Sequence, residues 1–138
     1  SEDGFIVIDS YHDGLLGRLR GKNRIFEFSV DGVTFCHLGD LGECFSQSLV
    51  EEIGKTDVLF IPVGGTYTID YLEAIKFAKA INARITVPMH YKTENCNIDV
   101  DGVENFLKRM PMVEKVGKTI ELKRETLPDE PSVYYFGE

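Results

Sequence analysis

Apolar residues fall in short runs along this chain, and their period changes from run to run. Residues 5–8, 25–30 and 33–36 read as strands, and Asp31-Gly32 between the last two is the strongest short hairpin signal present. Residues 46–53 read as a short helix, with Ser48 and Glu51 at capping-box spacing and Gly54 closing it. The unbroken apolar run 58–61 is typical of a strand covered on both faces. From 69 to 82 the apolar positions 71, 74, 75, 78 and 81 mark one face of an α-helix with Thr68 as its N-cap, and 84–87 is another buried strand. Residues 103–110 read as a helix ended by Pro111, and 118–122 and 133–136 as closing strands. Pro128 and Pro131 make the link between those two irregular. Helices between buried strands, after an opening antiparallel hairpin, predict an α/β fold with helices packed on a mixed sheet.

Composition narrows the picture only in part. A length of 138 residues predicts a single domain, 1–138, large enough to bury a real core. A hydrophobic fraction of 43% with 28% charged residues is ordinary for a globular protein. The net charge of −8 and pI near 4.9 argue against nucleic acid or an anionic membrane as partner, since both need a basic surface. No apolar run approaches the roughly 20 residues that cross a bilayer, and no signal-peptide pattern opens the chain. Cys36, Cys44 and Cys96 are odd in number and lack C-x-x-C spacing, which points away from a disulfide framework and towards a reducing, cytoplasmic setting. The chain meets its first strand almost at once and has no initiator Met, so it reads as a processed or truncated piece.

Three predicted strand ends carry metal-capable side chains, where α/β proteins collect their chemistry. His12 stands in Tyr11-His12-Asp13, where Asp13 could orient the ring from behind; the plain alternative is a surface-turn histidine. Asp40 stands between glycines in Gly39-Asp40-Leu41-Gly42, so that a carboxylate could point into a site and bridge two ions; the alternative is a turn aspartate capping the next helix. His90 ends the run Pro88-Met89-His90-Tyr91; its alternative is a strand-end histidine satisfied by a backbone carbonyl. His37 alternates with Val33 and Phe35 and reads as a packed core histidine. Cys36 beside it points to the opposite face, which disfavours a Cys–His nucleophile pair.

Taken together, the segments Tyr11-His12-Asp13, Arg20-Gly21-Lys22-Asn23, His37-Leu38-Gly39-Asp40-Leu41-Gly42, Asp57 through Pro62-Val63-Gly64-Gly65-Thr66-Tyr67-Thr68, and Ile85 through Pro88-Met89-His90-Tyr91 resemble the metallo-β-lactamase-fold hydrolases. Within them the likeness is to the branch of ascorbate-6-phosphate lactonase-like metal-dependent hydrolases. It runs in family order over roughly residues 5 to 120 and implies the C-terminal part of an αββα fold. It also implies that His12 completes the ligands of a first metal, that Asp40 bridges both metals, and that His90 belongs to the second. Up to two ions are implied, zinc first, with manganese or iron as alternatives. A metal-held water or hydroxide then attacks a carbonyl or phosphoryl centre of a small-molecule substrate. Lactone, phosphodiester and thioester chemistry all occur on the fold, which does not choose among them. The family's H-x-H-x-D-H segment is absent from the sequence. The chain alone is therefore expected not to be a competent dinuclear hydrolase, and apolar faces meant for the missing segment are expected to drive self-association.

Other features have plainer readings. Gly65, Thr66 and Tyr67, with Tyr91, are candidates for contacting substrate, the first two through backbone N–H groups at a helix start and the tyrosines through their hydroxyls. A simple strand-to-helix turn and buried core tyrosines are the alternatives. Asp57 reads as a turn or cap residue. Arg18, Arg20, Lys22 and Arg24 form a basic cluster read as a solvated loop, with an anion-contacting lip as the alternative. Two functions of different class follow: a metal-dependent hydrolase represented by part of its fold, and a non-catalytic half-fold that binds or assembles.

Overall fold

The computed structural model describes residues 5–15, 17–65, 67–91, 101–117 and 119–136. Their frame is a seven-stranded mixed sheet in the order β1-β2-β3-β4-β5-β7-β6. The strands are β1 (Phe5–Tyr11), β2 (Lys22–Val30), β3 (Val33–His37), β4 (Val58–Pro62), β5 (Ile85–Met89), β6 (Val113–Val116) and β7 (Ser132–Phe136). β2 runs antiparallel to β1 and β3, and every other neighbouring pair is parallel. All strands but β2 therefore point one way.

The hairpin between β2 and β3 is closed by Asp31 and Gly32, both with positive φ (51° and 80°). That is the twist a two-residue hairpin turn needs, and it fixes Val30 opposite Val33. Helices α1 (Gln47–Ile53), α2 (Tyr71–Ile81) and α3 (Glu104–Leu107) connect the parallel strands. They bury Leu49, Val50, Ile53, Phe77, Ala78, Ile81 and Phe106 on one sheet face, against Ile8, Ile25, Cys36, Leu59 and Ile61. The opposite face buries Val33, Val58, Ile85 and Val87 under Leu122 and Leu127. β4 is buried on both faces, as its unbroken apolar run predicts.

Four local expectations change. The cap of α1 is Ser46, whose hydroxyl accepts from Leu49 N–H (3.3 Å), and not Ser48, which instead pairs with the Ser46 hydroxyl (2.9 Å). α2 is capped by Asp70, whose carboxylate accepts from Glu73 N–H (3.0 Å); Thr68 bonds the Ile69 carbonyl instead. The helix expected over 103–110 is one turn, Glu104–Leu107. The strand expected at 118–122 lies earlier, at Val113–Val116: a short, exposed, charged edge strand hides from a search for apolar runs, while Leu122 drops onto the second core instead. Among the described residues no helix is long and apolar enough to cross a membrane.

The two capping schemes for α2 make different predictions. Asp70→Ala should cost about 1 kcal/mol of stability and Thr68→Ala clearly less, read from urea midpoints.

Candidate metal centre

Strand direction assembles the site. His12 directly follows β1, Asp40 follows β3 after Leu38-Gly39, and His90 directly follows β5. These strands run the same way, so their C-terminal ends share one edge of the sheet. β3 lies two strands from β1 and two from β5, roughly 10 Å each way. One carboxylate at its end can thus meet an imidazole from either side. Asp40 Oδ2 lies 3.4 Å from His12 Nε2 and Asp40 Oδ1 lies 3.1 Å from His90 Nε2. The structure brings together all three residues singled out as metal ligands.

Several residues hold this geometry: the glycines around Asp40, as the sequence suggested, and Asn23 and Glu43, to which the sequence reading gave no role. Asn23, buried on β2, donates to Ser10 Oγ and to the Leu38 carbonyl (both 2.9 Å) and accepts from Asp40 N–H (2.9 Å). Gly39 sits at φ 62°, where a Cβ would strike Asn23 Oδ1 and the Arg24 carbonyl. Gly42 N–H donates to the Tyr11 carbonyl (2.9 Å), and a Cβ on Gly42 would overlap the His12 backbone. The loop carrying Asp40 therefore lies directly on the loop carrying His12. Glu43 ties the same two segments by accepting from Tyr11 N–H (2.8 Å). Asn23 carried a detectable signal: it takes the alternation position two before buried Ile25, where an apolar residue would be ordinary.

Asp13 does not orient the His12 ring, as the sequence suggested. Its buried carboxylate accepts from four backbone N–H groups, those of Leu15 (2.7 Å), Gly17 (2.9 Å), Leu19 (3.0 Å) and Arg20 (2.6 Å). The Arg20 amide leads these in holding the carboxyl down at about 2, against an opposing push from burial. Asp13 thus folds the loop after His12, and His12 Nδ1 is left as a buried atom without a hydrogen-bond partner. His90 adopts φ 55°, a left-handed conformation that histidine tolerates better than most residues but at some strain.

His37 is not a core residue. It is half-buried, stacks on Phe60 (5.6 Å between ring centroids), and lines an open depression of about 900 Å³ together with His12 and Asp40. Gly39 N–H donates to His37 Nδ1 (3.1 Å), which places the proton of the neutral ring on Nε2. Burial, then the charge of His90, push its pKa down, with Asp40 opposing. Lys22 and Arg24 belong to β2, not to a solvated loop, and line the same depression. Arg20 lies over the exposed Tyr67 ring, 5.3 Å from its centroid, and neither is among the residues lining the depression.

The remaining candidates are placed less favourably. Gly65 N–H is taken by the Ile69 carbonyl (3.2 Å), and Tyr67 and Thr68 donate back to the Gly65 carbonyl, so these amides are spent inside the turn. Thr66 lies outside the described residues, as does Cys96. Tyr91 packs against the helix-side core rather than lining the depression, and burial raises its pKa. Asp57 joins strands: its buried carboxylate accepts from Thr34 N–H (2.8 Å) and faces Arg124 (3.4 Å).

Neutral imidazole nitrogens and carboxylate oxygens are the donors zinc takes. Two ligands at about 2.0–2.2 Å from one tetrahedral ion stand roughly 3.3–3.6 Å apart. The His–Asp40 separations fall at or just under that range, one pair on each side of the carboxylate. The number of donors falls short: each position has two, against the three protein ligands usual for catalytic zinc. Among the described residues no group of three or more His, Cys, Asp or Glu side chains is placed to hold an ion. Donor kind and spacing fit; the set does not close.

The model of the β-lactamase superfamily domain matches residues 4–90, well over half of the chain. The chain belongs to that family. A UPF0173 metal-dependent hydrolase of Carboxydothermus hydrogenoformans is 38% identical over 68 residues, covering 49% of this chain and 30% of the relative. One from Methanoregula boonei is 35% identical over 85 residues, covering 61% and 38%. A solved structure from Thermotoga maritima, described as a candidate Zn-dependent hydrolase of the metallo-β-lactamase superfamily, superposes at TM-score 0.83 with 40% identity, over 97% of this chain and 64% of that one. The matches thus span about a third of these two curated relatives, and the mixed sheet with its helices is a metallo-β-lactamase-fold architecture.

Two outcomes test this geometry. His90→Gly should be more stable than His90→Ala by about 1 kcal/mol, since only glycine sits at φ 55° without strain, while both lose the donor. For Asp13, a carboxyl held at about 2 against an ordinary 3.8 stabilises the loop fully above the higher value, and that support is lost as pH falls towards the lower. Hydrogen exchange of the Leu15, Gly17, Leu19 and Arg20 amides should show protection that disappears over this interval and is absent throughout in Asp13→Asn.

Proposed function

We propose that this chain contributes His12, Asp40 and His90 to the metal centre of a metal-dependent hydrolase acting on a small molecule. The observation that carries the reading is the Asp40 carboxylate set between two imidazoles, one oxygen to each. Family membership and the metal-dependent hydrolases among its relatives support it. Zinc suits the donors best, with manganese or iron as alternatives. When bound, such an ion supplies a nucleophilic water of lowered pKa and stabilises charge developing on oxygen. The chain's own share is to hold Asp40 by its backbone through Asn23, to fix the His12 loop through Asp13 and Gly42, and to present His90 from the end of β5. The remaining ligands would come from a segment carrying the family's His- and Asp-rich motif. Likeness to the lactonase branch rests on the Gly-Gly-Thr-Tyr-Thr and Pro-Met-His-Tyr segments and leaves the scissile bond open.

The two-donor count favours a second reading, a half-fold that binds or assembles without catalysis. Titration of the purified chain with zinc, followed by calorimetry, separates the two. The hydrolase reading expects weak binding, of micromolar order or poorer, abolished by His90→Ala or Asp40→Ala, with no turnover by the isolated chain. Binding that neither substitution changes would favour the second reading. Tight stoichiometric zinc with turnover would show instead that residues of this chain close the site.

A further inference from the structure

Another concavity lies at the opposite edge of the sheet from the metal centre. The end of α2, the start of β5 and the start of β7 enclose a cleft of about 480 Å³. Ala78, Ala83, Met110, Pro131 and Val133 supply apolar wall, and the two small alanines leave the room. Hydrogen bonds tie the enclosing segments together. Ser132 N–H donates to the Arg84 carbonyl (2.9 Å), Val133 N–H to the Met112 carbonyl (2.7 Å), and the Arg84 guanidinium to the Pro128 carbonyl (3.0 Å). The cleft therefore holds its shape without a ligand.

One buried polar side chain is set into this lining. Thr86 lies on the helix side of β5, 4% exposed, with Leu59 and Val133 as its ladder partners. Its hydroxyl has no hydrogen-bond partner among the described residues and opens on the cleft. Burying a hydroxyl unpaired costs stability, and valine would give the same shape without that cost. A core threonine facing an apolar cleft therefore marks a bond for something else to complete. The rim carries one exposed cation, Lys79, and one exposed anion, Glu130, so the mouth favours neither sign. A cavity of about 150 Å³ takes a benzene-sized molecule, so this one has room for a ring or a short chain.

We propose that this cleft is a ligand site for a small neutral molecule, an apolar ring or chain bearing one hydroxyl or carbonyl oxygen, held by that oxygen on the Thr86 hydroxyl. A threonine hydroxyl both donates and accepts, so either kind of oxygen suits it. Thr86 stands four residues before His90, which directly follows the same strand, about 13 Å away. The site thus lies apart from the metal centre and is independent of the hydrolase reading.

The test titrates the full 138-residue chain with cyclohexanol, cyclohexanone, chlorocyclohexane and cyclohexanecarboxylate, reading the amide shifts of Ala78, Thr86 and Val133. Cyclohexanol or cyclohexanone should bind, and Thr86→Val should weaken it about fivefold or more while leaving chlorocyclohexane unweakened. Thr86→Ser keeps the hydroxyl and should keep the oxygen ligand. Without ligand, Thr86→Val should raise the urea midpoint, since it removes an unpaired polar group from the core. His90→Ala should change none of these affinities. Absence of shifts with both oxygen ligands would leave Thr86 to water and overturn the proposal. So would unchanged oxygen-ligand affinity in folded Thr86→Val, or tighter binding of the carboxylate than of the alcohol. A lowered urea midpoint in Thr86→Val would show that the protein itself satisfies the hydroxyl, and loss of binding in His90→Ala would move the ligand to the metal centre; either result also overturns it.

Discussion

Everything at the candidate centre depends on strand direction. β1, β3, β4 and β5 run the same way, and the single reversed strand, β2, is spent in bringing the chain back between β1 and β3. The ends of β1, β3 and β5 therefore face one side, and Asp40 lies midway between two histidines 78 residues apart in sequence. An antiparallel pairing at either β3–β4 or β4–β5 would send His90 to the opposite edge. The helices that enforce the parallel connections thus serve the site without touching it.

The second level of control is backbone placement. Asn23 grips the amide of Asp40 and leaves its carboxylate free. Gly42 allows two loops to lie in contact, and Asp13 gathers four amides into one turn. Each acts on main-chain atoms, which leaves the side chains of His12 and Asp40 able to reorganise around a ligand. His12, with one ring nitrogen buried and unpartnered, is the part of this arrangement that is not fully satisfied.

How much of this could be read from the chain follows the physics of each signal. Long apolar periods located β4, α2 and β5 to within one or two residues, because burial on a helix face or on both faces of a strand leaves a strong pattern. β6 was misplaced because an exposed edge strand needs no apolar run. The position of His12, Asp40 and His90 past strand ends was legible because each follows an apolar run. Asn23 was missed because its strand seemed to begin at Ile25, and a polar residue outside a predicted strand looks like loop. His37 was misassigned because alternation says which face a residue occupies but not whether that face is covered. Lys22 and Arg24 fell to the same error of strand length: once β2 starts at Lys22, their spacing puts both on one face beside the site.

The tight turn at Asp31-Gly32 has a consequence for how the chain reaches this state. At its start β2 carries Asn23 and Ile25 on the helix side and Lys22 and Arg24 on the other, so there its two faces differ sharply in chemistry. A slip of one residue in the pairing would exchange them, driving Arg24 towards the core that holds Ile8 and Cys36 and turning Asn23 out. Burying an unpaired guanidinium is so unfavourable that the slipped sheet would not persist. The arginine beside the site therefore also proofreads the hairpin. Any molecule whose sheet has closed with its apolar face inward has, by the same step, already aligned the two loops that present His12 and Asp40.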